Sequence, residues 1–147
     1  MSGTNDGTPT PAQATDTRIT DADEVMFRQI HPDLFLNGTL ASSAFQPSAT
    51  DEGQMSVDRS SLTNPKASFD LYVANGRLSR AVYGVSVGEF GAEGVICRSD
   101  PLPATAELMA NPAHAYADYN PLGSIKAEKK KAQKLRDKAV ARGRLHR

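Results

Sequence analysis

The sequence predicts a single α+β domain: a mostly antiparallel sheet with a capped helix and a long basic C-terminal helix. Two observations carry that prediction. Strand-like and helical stretches follow one another as strand, helix, strand, strand, strand, helix, without the regular alternation of a doubly wound sheet. The 147 residues make one domain's length, and with 39% hydrophobic residues they can build a core. Tryptophan is absent and aromatics are 6%, so that core must rest on Val, Leu, Ile and Ala.

Residues 1–17 carry no apolar cluster and include Pro9 and Pro11, so they read as a disordered leader to a domain over 18–147. Glu24–Ile30 is an apolar-rich run stopped by His31-Pro32 and reads as a strand. Pro32–Phe35 can start one helical turn, and Asn37-Gly38 is a turn dipeptide. Leu40–Phe45 is expected to be a second strand. The polar Gln46–Ser61 is expected to be a long loop, interrupted only by Met55-Ser56-Val57.

Asn64-Pro65 is a helix start, with an Asn cap and proline at the first position, and Asn75-Gly76 is a stop. Between them Phe69, Tyr72 and Val73 share one helical face. Ala81, Tyr83, Val85 and Val87 alternate with Val82, Gly84 and Ser86, a strand pattern that is expected to set Val85 and Phe69 in a common core. Gly88–Gly94 allows one helical turn through Phe90, Val95-Ile96-Cys97 is a small strand, and Ala113–Tyr119 is another. Ser124–Arg142 is the longest helix; Ile125, Ala132, Leu135 and Ala139 form its apolar stripe, and Gly143 closes it. Helices are expected on one face of the sheet.

Formal charge is zero overall but unevenly spread. Residues 1–123 hold 7 Lys/Arg against 15 Asp/Glu, a net of −8, and residues 124–147 hold 10 against 2, a net of +8. A basic tail of this kind is drawn to phosphates, to anionic surfaces or to the acidic face of its own body. Lys129, Lys130, Lys134, Lys138 and Arg142 are the candidate nucleic-acid contacts, and with no aromatic residue in the tail such binding would ignore sequence. The single Cys97 excludes an intrachain disulfide, and no apolar stretch is long enough to span a bilayer. With no secretory signal pattern at the start, a cytoplasmic location is expected.

Three blocks taken together carry a resemblance. They are Phe27-Arg28-Gln29-Ile30-His31-Pro32; then Ser42-Ser43-Ala44-Phe45-Gln46-Pro47 with Asp51 and Met55-Ser56-Val57; then Val85-Ser86-Val87-Gly88-Glu89 with Asp100-Pro101, Asn111-Pro112-Ala113-His114-Ala115 and the lysine helix ending Ala141-Arg142-Gly143. Their order resembles a family of small bacterial proteins without an assigned activity, over about Val25 to Leu145. The resemblance implies a bacterial, cytoplasmic protein of one domain and names no substrate.

The candidate chemistry centres on His31, His114 and Asp118. His114 and Asp118 fall on one side of a strand, and a histidine oriented by a carboxylate with a second histidine opposite could carry out general acid–base work on an ester or phosphodiester. Ser42, Ser43, Ser56 and Cys97 are the available nucleophiles, none of the serines in a G-x-S-x-G elbow. Arg28, the Ser42-Ser43 pair and Glu89 also follow the loose order of some ADP-ribosyl transferase folds. No metal-ligand spacing or phosphate-loop pattern is present, so neither metal nor cofactor is expected. The leading expectation is a small accessory protein that binds a macromolecular partner, a protein before a nucleic acid, as an immunity or defence component does. A small hydrolase or transferase and a sequence-blind nucleic-acid binder are the alternatives.

Overall fold

The computed structural model describes residues 17–147. Its elements in chain order are β1 (Val25–Ile30), β2 (Phe35–Leu36), β3 (Thr39–Leu40), β4 (Gln54–Arg59), α1 (Pro65–Ala74), β5 (Ala81–Ser86), α2 (Val87–Ala92), β6 (Ile96–Ser99), β7 (His114–Asp118) and α3 (Ile125–Arg142). Five strands form one antiparallel sheet in the order β5–β1–β4–β7–β6, and β2 and β3 make a separate hairpin. The α+β architecture is as the sequence predicts.

Alternation along the strands divides the sheet into two unlike faces. Met26 and Ile30, Met55 and Val57, Ala81, Tyr83 and Val85, and Ala115 and Ala117 are buried on one face. Across them lie Ala132, Leu135 and Ala139 of α3 and Phe45 from the 3-10 turn Ser42–Phe45. The many alanines on both sides let α3 lie close to the strands, which is how a chain with few aromatics fills a core. The Tyr119 hydroxyl donates to the Phe45 carbonyl, tying β7's end to that turn. On the opposite face α1 packs through polar contacts: Ser68 Oγ donates to Asp58 Oδ2 at 2.6 Å and Gln29 Nε2 donates to Ser68 Oγ at 2.8 Å.

Several sequence expectations change here. Helices cover both faces rather than one, because α1 meets the face bearing Gln29 and Asp58 while α3 meets the other. Val85 is fully buried, yet Phe69 is only half-buried and stacks on His146 at 4.8 Å between ring centres, so the two do not share a core. The expected loop over 46–61 contains β4, the middle strand of the sheet. The expected strand Leu40–Phe45 is a two-residue strand followed by a 3-10 turn. Ile125 is 72% exposed, whereas the rest of its predicted stripe is buried.

Turns and caps follow the local chemistry. Asn37 and Gly38 both take positive φ, 55° and 80°, which joins β2 to β3 by a two-residue turn of the kind that suits hairpin twist. Asn64 Oδ1 accepts from Ala67 N at 2.9 Å and caps α1. Both edges of the sheet are covered by the ends of the described chain. Ser99 N donates to Thr17 O and Ile19 N to Cys97 O along β6, while Leu145 N donates to Val82 O and Val82 N to His146 O along β5. The expected leader lies outside the described residues except for Thr17, which is part of that edge.

Candidate active site

The site begins with a fault in the sheet. β1 pairs with β5 along all six of its residues, but with β4 only at Met26–Arg59 and Phe27–Asp58. Past that point Arg28 fills the gap with its side chain: Nε donates to Ala44 O at 2.9 Å and Nη1 to Ser56 O at 3.0 Å. An arginine thus supplies a carbonyl of β4 with the partner that the ladder no longer provides. Burial pulls the Arg28 guanidinium below its ordinary value, against the opposing pull of Tyr72, Tyr119 and Asp51.

Over this part of the sheet lies a cavity of about 480 Å³, within the range of small-molecule sites. Its floor includes Gln29, Ser56, Asp58 and His114; α1 contributes Leu71 and Tyr72, its cap Asn75 follows, and the segment 102–111 forms the facing wall. Polar side chains occupy the floor because this is the sheet face turned away from the apolar core.

Two of the lining side chains, Ser56 and His114, connect to Asp100, which stands behind the lining. His114 Nε2 is 3.2 Å from Ser56 Oγ, and His114 Nδ1 is 3.2 Å from Asp100 Oδ2 and 3.0 Å from the Asp100 carbonyl. Both neighbours of Nδ1 are acceptors, so the ring proton belongs there and the Nε2 lone pair faces the serine hydroxyl. Asp100 N also donates to His114 O at 2.9 Å, which locks the two residues together through the backbone. A nucleophile, a base and an orienting carboxylate in that order are the parts of an acyl-transfer triad.

A second polar chain braces the floor. Asp58, only 9% exposed, accepts from Asn111 Nδ2 at 2.8 Å and from Ser68 Oγ at 2.6 Å, and Gln29 carries the chain on to Ser79 Oγ, which donates to Gln29 Oε1 at 2.7 Å. The buried carboxylate is thereby satisfied without an arginine.

Of the residues singled out in the sequence, His114 alone among the His31, His114 and Asp118 set lines the cavity. His31 caps the 3-10 turn Pro32–Leu34, its Nδ1 accepting from Asp33 N at 3.0 Å. Asp118 does share a strand face with His114, but four residues of strand span about 13 Å, beyond hydrogen-bond reach. It accepts from Asn120 N at 3.0 Å and stands 3.8 Å from Arg98 instead. Asp100 takes the place expected of Asp118. Ser56 is the one named serine in the site; Cys97 is buried, with its thiol pushed up to about 12 by burial. Glu89 closes the capping box of α2 and pairs with Arg142 at 2.7 Å, apart from the cavity that Arg28 lines.

In the basic helix, Lys134 stands 4.0 Å from Glu93, Lys131 3.3 Å from it, and Arg142 reaches Glu89 and the Gly84 carbonyl at 2.7 and 3.0 Å. Lys129, Lys130 and Lys138 are on the exposed side. Part of the tail's charge is therefore met by the acidic body. No known family model, curated protein or solved structure matches this chain. What it does has to be argued from the site.

Proposed function

We propose that the protein is a small serine hydrolase acting on esters, with Ser56 as nucleophile, His114 as general base and acid, and Asp100 as the carboxylate that orients the imidazole. The observation that supports this reading is the unbroken Ser56–His114–Asp100 chain, whose serine and histidine line a ligand-sized cavity. Ser56 Oγ attacks the acyl carbon while His114 Nε2 takes the hydroxyl proton and delivers it to the departing alcohol oxygen. Water then attacks the acyl-serine, giving a proton to His114 that returns to Oγ as the acid leaves. Arg28, which lines the same cavity and is bonded to the Ser56 carbonyl, is the cation assigned to offset the negative charge that grows on the acyl oxygen.

The partner-binding and nucleic-acid readings draw on exposed lysines and scattered apolar side chains, which ordinary surfaces also carry. The ester reading draws on one connected set of groups. Initial rates on a series of nitrophenyl esters test it. Ser56→Ala is expected to bring turnover to the background rate, and His114→Ala to cost about 10²–10⁴-fold, the usual share of general base catalysis. A Ser56→Ala protein that keeps the wild-type rate overturns the reading.

A further inference from the structure

Two arginines line the cavity, and among the described residues neither makes an ion pair with a carboxylate. Arg28 spends Nε and Nη1 on backbone carbonyls, and Arg77, exposed just past α1, lies over the Tyr72 ring at 5.8 Å. Tyr72 lines the same cavity as both. The carboxylates of the lining are already engaged by neutral donors: both oxygens of Asp58 by Ser68 and Asn111, and Asp51 by the Ser48 amide. Asp51 also interacts electrostatically with Arg28. The cations on the Tyr72 side thus keep donors to spare for an anion from outside.

Beside Asn75, Thr105 and Asn111, the lining has an apolar part. It is made by Leu71 with Leu102, Leu108 and Met109, the last three 41%, 37% and 58% exposed along one short segment. Aliphatic Leu and adaptable Met side chains that line a cavity suit a flexible aliphatic ligand. They do not suit a planar base, because Phe27 is 5% exposed and Arg77 already covers Tyr72.

We propose that the acyl part of the substrate is an unbranched chain of medium length, laid along Leu102, Leu108 and Met109, and that its carboxylate product is held by Arg28 and Arg77. The substrate class rests on the ester-hydrolase reading, whereas carboxylate binding is measured without turnover. Calorimetric titration with sodium octanoate is the test, with octan-1-ol as the uncharged control. Wild type and Ser56→Ala are expected to bind one octanoate each, at least tenfold more tightly than octanol. Arg77→Gln, a change at an exposed position just past α1, is expected to weaken octanoate at least tenfold and leave octanol unchanged. No saturable octanoate binding, or octanol binding as well as octanoate, overturns the inference. Octanoate binding by a protein that turns over no ester overturns the hydrolase reading and the word substrate with it; ester turnover with no preference for an octanoyl chain and no octanoate binding overturns this inference alone.

Discussion

Glu24 is the least exposed carboxylate among the described residues, with a side chain only 4% accessible, and it shows how the far side of the sheet is held together. Its oxygens take both arms of Arg59, at 2.9 and 3.0 Å, and the Ser61 amide and hydroxyl at 3.2 and 2.6 Å. Burial pushes the Glu24 carboxyl up, but Arg59 and Ser61 together outweigh it and hold it below its ordinary 4.5. A folded-state value below the unfolded one means that this stability is present above about pH 4.5 and lost as pH falls through the folded value. Glu24→Gln removes one partner of a buried pair and is expected to cost about 3 kcal/mol at neutral pH, toward the lower end for such pairs because Arg59 can still reach water. Urea midpoints measured from neutral to acid pH check both parts: the variant should start lower and lose less on acidification. Equal acid slopes for the two proteins would assign the acid sensitivity to other groups. Serine, histidine and aspartate at the site obey the same residue logic, with both nitrogens of His114 placed by named partners.

At the scale of elements, Asn64 and the C-terminal segment are the sharpest cases. Asn64→Ala removes the α1 cap and is expected to cost about 1 kcal/mol, read as a shift in the denaturation midpoint. Deleting residues 144–147 strips β5 of the segment that pairs with Val82 and also removes the His146 ring from Phe69. An uncovered strand edge invites pairing with another chain, so the truncated protein should show concentration-dependent association in sedimentation as well as a lower midpoint. A monomer with unchanged stability would show that the segment only decorates the edge. Gly84 belongs to the same arrangement: a Cβ there would stand 2.6 Å from Val25 Cγ1 and 2.8 Å from Leu145 Cδ1, so Gly84→Ala should destabilise by about 1–3 kcal/mol.

These elements also show what the sequence alone could tell. Caps, turn dipeptides and apolar alternation act over a few residues, and so β1, α1, β5, β7, α3 and the Asn37-Gly38 turn were all legible. β4 was not: Gln54, Ser56 and Asp58 alternate with Met55 and Val57, but a polar face between Gly53 and Ser60 looks like loop. That polar face is the floor of the cavity, so the sequence names Ser56 and His114 but not the strand that brings them together. Asp100 was hidden for another reason. It lies 14 residues from His114, and His114 lies 58 from Ser56, so no local spacing records their meeting. His114 and Asp118 were set together by counting side-chain faces, a rule that gives direction on a strand but not distance.

For the molecule as a whole, the two faces of one sheet do different work. The α3 side holds the apolar core, and the ion pairs of Lys131 and Arg142 with Glu93 and Glu89 bring the basic helix against the acidic body. The α1 side is polar, and where β1 parts from β4 it opens into a cavity floored by Ser56 and His114. Placing a serine on the middle strand of a rigid sheet fixes its approach to His114 without a strained turn. The central claim is that Ser56 is an activated nucleophile, and the most direct measurement is peptide mass spectrometry after exposure to a fluorophosphonate, which marks such serines covalently. The account predicts one phosphonyl adduct, on the peptide containing Ser56, lost in Ser56→Ala and strongly slowed in His114→Ala. No adduct on a folded protein, or an adduct at the same rate on Ser42 or Ser43, would contradict it.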